Sequence, residues 1–210
     1  MTAAAPRAGE EGLPLFVRSS LKPGTSGDWT LEHFEIGPPN LPADGKDPRP
    51  HWARNEPGTY TALRVGQVVM MSDTYEEWWT QKDAMIKACE VGGHILITGL
   101  GLGMVVDSML QTPGSKVKRI TVVEASEDVI SLVAPQVLPR YPDQLDIVHH
   151  DAFTWQPPAG SHFSMAWHDI WPSPFTSSNA AEMERLRLHY EPFCDWQGFW
   201  GEDMVLPEDA

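Results

Sequence analysis

Four short apolar runs along the middle of the chain are the clearest pattern in its hydrophobic and polar positions. The first, Ile95–Ile97, has no polar alternation, which predicts a strand buried on both faces of a parallel sheet. The other runs begin near Val117, Leu145 and Phe163. Residues 104–110, which follow the first run, carry apolar side chains at helical spacing. We therefore predict an α/β fold built on a parallel sheet.

Three glycines follow the first run at every second position, in the segment HILITGLGLG. Gly99, Gly101 and Gly103 remove side chains where the chain turns tightly and where a ligand can approach the backbone. A strand, a glycine turn and a helix N-terminus together suit a nucleotide-like ligand. The dinucleotide fingerprint G-x-G-x-x-G would need a glycine where Met104 stands, so the spacing here differs from it. A purely structural turn is the alternative.

Acidic residues close the other three runs. Glu124 ends the second run, where a carboxylate can accept hydrogen bonds from ribose hydroxyls. Asp151 ends the third run, and His168 and Asp169 end the fourth. Ligands of open α/β sheets bind at the carboxyl ends of the parallel strands. The three acids therefore predict a ligand site at this edge of the sheet.

The segment from Thr59 to Pro174 resembles the spermidine synthase-like branch of the class I S-adenosylmethionine (SAM) dependent methyltransferases. The resemblance rests on the G-x-G-x-G loop and on the strand-end motifs VVEAS, HHDAFTW and AWHDIWP. The segment TYTALRVGQVVMMSDT also looks like the N-terminal β-hairpin of that branch. The same motifs are similar to those of phage and actinobacterial proteins described as SAM methyltransferase-like. The resemblance implies a Rossmann-like class I methyltransferase sheet and SAM as the cofactor.

The resemblance also implies roles for individual residues. By it, the three glycines line the methionine part of SAM, Glu124 holds the ribose, and Asp151 meets the adenine amino group. Asp73, which precedes a predicted helix near the glycine turn, either caps that helix or touches the ligand. The predicted cofactor-binding residues are Gly99, Gly101, Gly103, Glu124, Asp151, Asp73, Ala125 and Ala152.

Asp169 and His168 are the predicted catalytic residues. Asp169 matches the acid that faces the transferring group in the family. Either side chain could act as a general base for an acceptor that starts protonated. The alternative is that the two residues only close the pocket and bind polar groups of the substrate. We predict no metal site, because adjacent residues such as His149 and His150 point to opposite faces of a strand.

Methyl transfer from SAM to an unidentified acceptor is the leading functional hypothesis. Two alternatives are aminopropyl transfer from decarboxylated SAM, and SAM binding without turnover. Residues 169–172 read DIWP, in place of the Asn-Pro-Pro-aromatic signature of amino methyltransferases. The tyrosine and paired-acid pattern of aminopropyltransferases is absent as well. The sequence therefore leaves the reaction type open.

The formal net charge of −14, from 15 basic and 29 acidic residues, narrows the choice of partners. It argues against nucleic acid and anionic membranes, both of which need basic surface, and favours a small-molecule or protein acceptor. Cys89 and Cys194 are too few for a disulfide framework or a zinc ribbon. The sequence shows no signal peptide and no membrane-spanning run. We expect a soluble cytoplasmic protein.

The chain is predicted to divide into a Pro- and Gly-rich arm, residues 1–58, and a SAM-binding domain, residues 59–210. The domain comprises a hairpin and a helix over 59–93, a core over 94–175, and a C-terminal helix and tail over 176–210. The arm is expected to be extended with one or two short strands, and partial disorder is the alternative. The tail offers no clear three-strand continuation into the strands five to seven that are usual in this superfamily, so we expect a sheet shortened at its C-terminal side. Its open edge would need the arm, the tail or a second subunit as a cover, which favours a homodimer.

Three helices are predicted in addition to the one over residues 104–110. The first spans Tyr75–Glu90, and Thr74 and Glu77 have the spacing of a capping box at its start. The others span Glu127–Ala134 and a stretch near Asn179–Tyr190. The residue before the second of these helices is a serine, which is a favoured N-cap.

Overall fold

Two β-sheets and four α-helices make up the described part of the chain. The structure, a computed structural model, describes residues 12–42, 46–172 and 177–204. One sheet is antiparallel with four strands, and the other is parallel with five. The predicted Rossmann-like α/β class is confirmed. The ends of the predicted arm and tail, 1–11 and 205–210, lie outside the described residues.

The first four strands form the antiparallel sheet. In their order across the sheet they are β1 (Gly24–Ser26), β2 (Trp29–Ile36), β3 (Gly58–Val65) and β4 (Val68–Ser72). β3 and β4 form the predicted hairpin, and Gly66 at its turn has a φ of 56°, which glycine adopts without strain. β2 lies in the predicted arm, and all eight of its residues pair with β3. The sheet joins the arm to the hairpin, and the domain boundary at residue 58 stays a prediction.

The helix α1 (Tyr75–Val91) connects the two sheets and matches the predicted helix to within one residue. Its first turn is capped by Thr74, whose hydroxyl accepts the N–H of Glu77. Gly92 ends the helix with a φ of 66°. One face of α1 is buried, with Trp78 only 1% exposed. The helix is therefore held mainly by the packing of this face.

The parallel sheet contains the four predicted apolar runs. Its strands are β5 (Gly93–Thr98), β6 (Val117–Glu124), β7 (Leu145–His149), β8 (Met165–His168) and β9 (Gln197–Phe199). The order across the sheet is β7-β6-β5-β8-β9, and every neighbouring pair is parallel. Counted within this sheet the order is 3-2-1-4-5, the doubly wound order of Rossmann-like folds. The order reverses between β5 and β8, and ligands bind at such a switch point.

Three further helices complete the layers of the parallel sheet. They are α2 (Met104–Gln111), α3 (Glu127–Val137) and α4 (Ser177–Tyr190). α3 begins at its predicted cap, since Ser126 Oγ accepts the N–H of Val129 at 3.2 Å. It continues past Pro135, which removes only one N–H donor from the last turn. Apolar clusters pack on both faces of the sheet, and Ile95 and Leu96 are fully buried in different clusters.

The tail contributes one strand, so the described sheet is shortened at its C-terminal side, as predicted, but continues one strand further than the sequence indicates. β9 has only three residues, which are too few to show a hydrophobic period. It pairs in parallel with β8 and covers the edge that we predict to be open. A second subunit is not needed to cover β8, and the homodimer stays a prediction.

Candidate active site

A cavity of about 450 Å³ lies at the carboxyl ends of the parallel strands, beside the switch point. Residues that follow β5, β6, β7 and β8 line it, and residues from the antiparallel sheet and α1 add further walls. Its volume is in the range of small-molecule sites. The lining residues are Trp29, Leu63, Met70, Met71, Glu77, Gly99, Gly101, Val123, Glu124, Ala125, Ser126, Val129, Asp151, Ala152, Phe153, Asp169, Ile170, Trp171 and Trp200.

The glycine loop turns away from β5 beside this cavity. Gly99 and Gly101 line the cavity, whereas Gly103 does not and instead begins α2. All three have φ values between 50° and 95°, which favour glycine. A Cβ atom at Gly99 would overlap the carbonyl oxygen of Asp169, and one at Gly101 would overlap the sulfur of Met71. The glycines are therefore required by close contacts within the protein, in addition to any ligand.

Glu124, at the end of β6, is fixed by two backbone donors. Its Oε2 accepts the N–H of Leu100 and its Oε1 accepts the N–H of Ser126, each at 2.8 Å. The carboxylate thus ties the glycine loop to the start of α3. Because each carboxylate oxygen has a second lone pair, the side chain can still accept hydrogen bonds from a ligand.

The end of β7 supplies the outer part of the cavity. Asp151 is exposed, and its Oδ1 accepts the N–H of Phe153 at 2.8 Å. Ala152 and Ala125, each next to a predicted acid, line the cavity together with the ring of Phe153. Six of the eight residues predicted to bind the cofactor line this one cavity, and Gly103 and Asp73 do not.

Asp169 follows β8, on the other side of the switch point from the residues that follow β6 and β7. Its backbone N–H donates to the carbonyl of Thr98 at 2.9 Å, and its Oδ2 accepts from Gln81 Nε2 at 2.7 Å. Gln81 is fully buried, and its Oε1 in turn accepts from Trp167 Nε1 at 2.7 Å. Burial raises the pKa of Asp169 to about 7, and the hydrogen bond from Gln81 opposes that rise.

Glu77 is a cavity residue that sequence reasoning assigned only to a helix cap. Its backbone N–H donates to Thr74, as a capped turn requires, but its side chain lines the cavity. Burial raises the pKa of Glu77 to about 8, and the nearby charges of Asp169 and Glu76 add to the rise. The sequence contains one signal for this role. Glu77 and Gln81 are four positions apart, so they lie one helical turn apart beside the buried face of α1.

His168 lies outside the cavity, although Asp169 follows it directly. It is fully buried, its Nδ1 is 3.0 Å from Thr98 Oγ1, and its Nε2 is 3.2 Å from Gln197 Oε1. Its ring stacks on Phe199 with the centroids 4.7 Å apart. Burial lowers the pKa of His168 to about 3, so the ring is neutral at physiological pH. The structure places it as a core residue between β5 and β9, without access to a substrate in the cavity.

Asp73 also lies outside the cavity and belongs to the start of α1. It is 1% exposed, and its Oδ1 accepts the N–H of Thr61 at 2.6 Å. Its own N–H donates to the carbonyl of Thr61 at 3.0 Å. These two bonds fix β3 to the residue that precedes the helix cap. Because Thr74 caps α1 and Asp73 bonds to Thr61 instead, Asp73 does not have the predicted capping role, and its contact with a ligand stays a prediction.

The cavity is acidic and aromatic. Four carboxylates line it, from Glu77, Glu124, Asp151 and Asp169, and no lysine, arginine or histidine is among its described lining residues. Trp29, Phe153, Trp171 and Trp200 supply four aromatic rings. Carboxylates and aromatic faces both attract cations. The arrangement therefore suits a ligand with a cationic group.

Among the described residues, no group of three or more His, Cys, Asp or Glu side chains could hold a metal ion. None of the described helices combines the length and the apolar character that crossing a bilayer requires.

Comparisons with known proteins find distant structural likenesses. No family model and no curated protein matches the chain. Spermidine synthase from Thermotoga maritima is similar over 78% of this chain, at 16% identity and a TM-score of 0.41. Dimethyladenosine transferase from Plasmodium falciparum is similar over 56%, at 19% identity and a TM-score of 0.40. The chain spans 50% of the first protein and 40% of the second. The resemblance to phage and actinobacterial proteins stays a prediction.

Proposed function

We propose that the chain is a SAM-dependent transferase, with methyl transfer to an acceptor as the leading reaction. One observation carries the proposal: the glycine turn after β5, Glu124 after β6 and Asp169 after β8 line a single cavity at the switch point. Acids at separate strand ends could each have been surface residues. Because they share one cavity, a single extended ligand can contact all of them.

The residues of the cavity fit SAM in their chemistry. Glu124 is held in place by two N–H groups and keeps lone pairs for the two ribose hydroxyls. Asp151 offers a carboxylate that can accept from an adenine amino group. The acidic lining suits a sulfonium cation. When bound, SAM supplies an electrophilic methyl group for transfer.

The chain's own contribution to transfer is positioning and proton removal. The cavity walls hold the acceptor in a reactive orientation and exclude water. Asp169 accepts the proton that a nitrogen or oxygen acceptor gives up, because its carboxylate faces the cavity. Burial brings its pKa to about 7, which suits a general base at neutral pH.

The acidic lining of the cavity favours a second candidate reaction, which is aminopropyl transfer from decarboxylated SAM. SAM carries a carboxylate, and no basic side chain among the described lining residues would pair with it. Decarboxylated SAM lacks that group and keeps an amine, which Glu77 and Asp169 would attract. A polyamine acceptor would suit the same acidic cavity.

We propose a small-molecule or protein acceptor for either reaction. The net charge of −14 and the acidic cavity both oppose a polyanionic nucleic acid. A small acceptor would enter the cavity itself, and a protein acceptor would insert one side chain.

Calorimetric titration with SAM, S-adenosylhomocysteine, decarboxylated SAM and NAD tests the proposed function. We expect micromolar binding of SAM or S-adenosylhomocysteine and no binding of NAD. A preference of about tenfold or more for decarboxylated SAM would establish the second candidate instead. If none of the four binds, the glycine turn is only structural and the proposal is wrong.

Product analysis separates turnover from binding. Incubation with a panel of amines should give S-adenosylhomocysteine from methyl transfer, or methylthioadenosine from aminopropyl transfer. Binding without either product, over a panel that includes peptides, would indicate a SAM-binding protein without turnover.

A further inference from the structure

The wall of the cavity formed by α1 contains a chain of hydrogen bonds that sequence reasoning did not detect. Trp167 Nε1 donates to Gln81 Oε1, and Gln81 Nε2 donates to Asp169 Oδ2, both at 2.7 Å. Gln81 is fully buried, so water cannot replace either partner. The indole N–H can only donate, which fixes the orientation of the Gln81 amide. The amide must therefore present its N–H to Asp169.

The same wall contains a second carboxylate. Glu77 lies one helical turn before Gln81 and lines the cavity with Asp169. The negative charges of Glu77 and Asp169 oppose one another. Of these two carboxylates, only that of Asp169 accepts an N–H from the described residues. A donor stabilises the ionised form, so the two acids are not equivalent.

We propose that Gln81 is a positioning residue which keeps the negative charge on Asp169, while Glu77, the second carboxyl of this wall, retains its proton. This inference rests on the proposed function, because Asp169 is the group that would take a proton from the acceptor. In that step an N–H bond of the acceptor breaks, an O–H bond forms on Asp169, and the electron pair stays on nitrogen. Glu77 retains its own proton and avoids a second buried negative charge.

The surrounding charges agree with this arrangement. Glu76 lies on the same helix, and Glu124 and Asp151 line the cavity from the ends of β6 and β7. All three are acidic, and no basic side chain lines the described cavity, so the surroundings favour protonation of one member of the pair. Burial raises the pKa of both carboxyl groups, and the Gln81 donor opposes that rise for Asp169 alone.

Carboxyl ¹³C NMR titration of the full chain, labelled at Asp and Glu, tests the inference without any ligand. The signals are assigned by their loss in Asp169→Asn and Glu77→Gln. In the unsubstituted chain we expect both groups to titrate near neutral pH, with Asp169 ionising first. In Gln81→Met, which keeps the shape but removes the donor, the midpoint of Asp169 should rise by about one pH unit.

Gln197→Met is the matched control. Gln197 also supports a titratable residue, since its Oε1 is 3.2 Å from His168 Nε2, but it lies away from the cavity. This substitution should leave both midpoints unchanged. If Gln81→Met does not fold, Trp167→Phe frees the Gln81 amide and should shift Asp169 in the same direction by less.

Two results would overturn the inference. One is an Asp169 midpoint that stays unchanged in folded Gln81→Met, which would leave Gln81 with a packing role only. The other is ionisation of Glu77 before Asp169. Failure of the proposed function is recognised separately, because absence of SAM binding in the calorimetric titration does not alter this ligand-free readout.

Discussion

The two walls of the cavity differ in how their carboxylates are satisfied. The loop wall is the glycine loop (residues 99–103) together with Glu124. The helix wall consists of Glu77, Gln81 and Asp169. In the loop wall, both carboxylate oxygens of Glu124 accept a backbone N–H at 2.8 Å. In the helix wall, two carboxylates line the cavity and receive one N–H donor from the described residues, that of Gln81.

The difference predicts how the two kinds of carboxylate affect the stability of the fold. Both carboxylate oxygens of Glu124 accept a backbone N–H, so this side chain strengthens the fold while it shapes the loop. Buried carboxylates with few donors have raised pKa values and cost stability when ionised. Proteins tolerate such a cost where chemistry needs a proton acceptor. Removing a carboxylate should therefore have opposite effects on stability in the two walls.

The largest effect is expected from Glu124→Ala in the loop wall. The substitution leaves two N–H groups without their acceptor, and we expect a loss of about 2 kcal/mol in the free energy of unfolding. It also removes the acceptor that we propose for both ribose hydroxyls of SAM, so SAM affinity should fall about a hundredfold. Denaturant unfolding and calorimetry measure the two effects.

Glu127→Ala is the matched control for this substitution. Glu127 is an exposed acid in the first turn of α3, three positions further along the chain. Its removal should change stability by less than about 0.5 kcal/mol and leave affinity unchanged. Undiminished SAM binding by Glu124→Ala would contradict the role given to the loop wall.

A smaller effect, confined to stability, is expected from His168→Leu. Asp169 belongs to the helix wall, whereas its neighbour His168 lies in the core. Loss of its contacts with Thr98 and Gln197 should lower the free energy of unfolding by about 2 kcal/mol or less, while SAM affinity stays within about threefold. The folded-state pKa of His168, about 3, lies below its ordinary 6.5, so the wild type loses stability as pH falls below 6.5. The leucine variant should lack that part of the pH dependence.

His162→Leu provides the comparison for His168→Leu. His162 is exposed, and its ion pair with Asp195 lies at the surface, so its loss should have little effect on stability. A His168→Leu variant of normal stability that no longer binds SAM would show that His168 does reach the ligand.

The sequence predicted the loop wall far better than the helix wall, because the loop wall depends on local pattern. The glycine spacing and the acids at strand ends can be recognised within short segments, and five strands at one edge bring them together. The helix wall depends on contacts between residues 86 and 88 positions apart, those of Gln81 with Trp167 and Asp169. No local period marks such pairs, and Glu77 matched a helix cap instead.

The same reasoning explains two further differences between sequence and structure. His168 and Asp169 share the end of one run, but successive residues of a strand point to opposite faces, and only the second lies in the cavity. β9 has only three residues, and it forms a strand because it is hydrogen-bonded to β8. In both cases the deciding contact lies elsewhere in the chain.

An effect of opposite sign to that in the loop wall, a gain of stability, is expected in Asp169→Asn. The folded-state pKa of Asp169, about 7, lies above its ordinary 3.8, so folding favours the protonated form. As pH rises from about 4 to about 7, the wild type loses stability relative to the asparagine variant, which does not titrate. At pH 8 we expect the variant to be the more stable of the two, and the difference should shrink as the pH falls to 4. Thermal unfolding across this range measures the difference. An asparagine variant less stable than the wild type at pH 8 would mean that the carboxylate of Asp169 is satisfied as fully as that of Glu124, and the contrast between the walls would be lost.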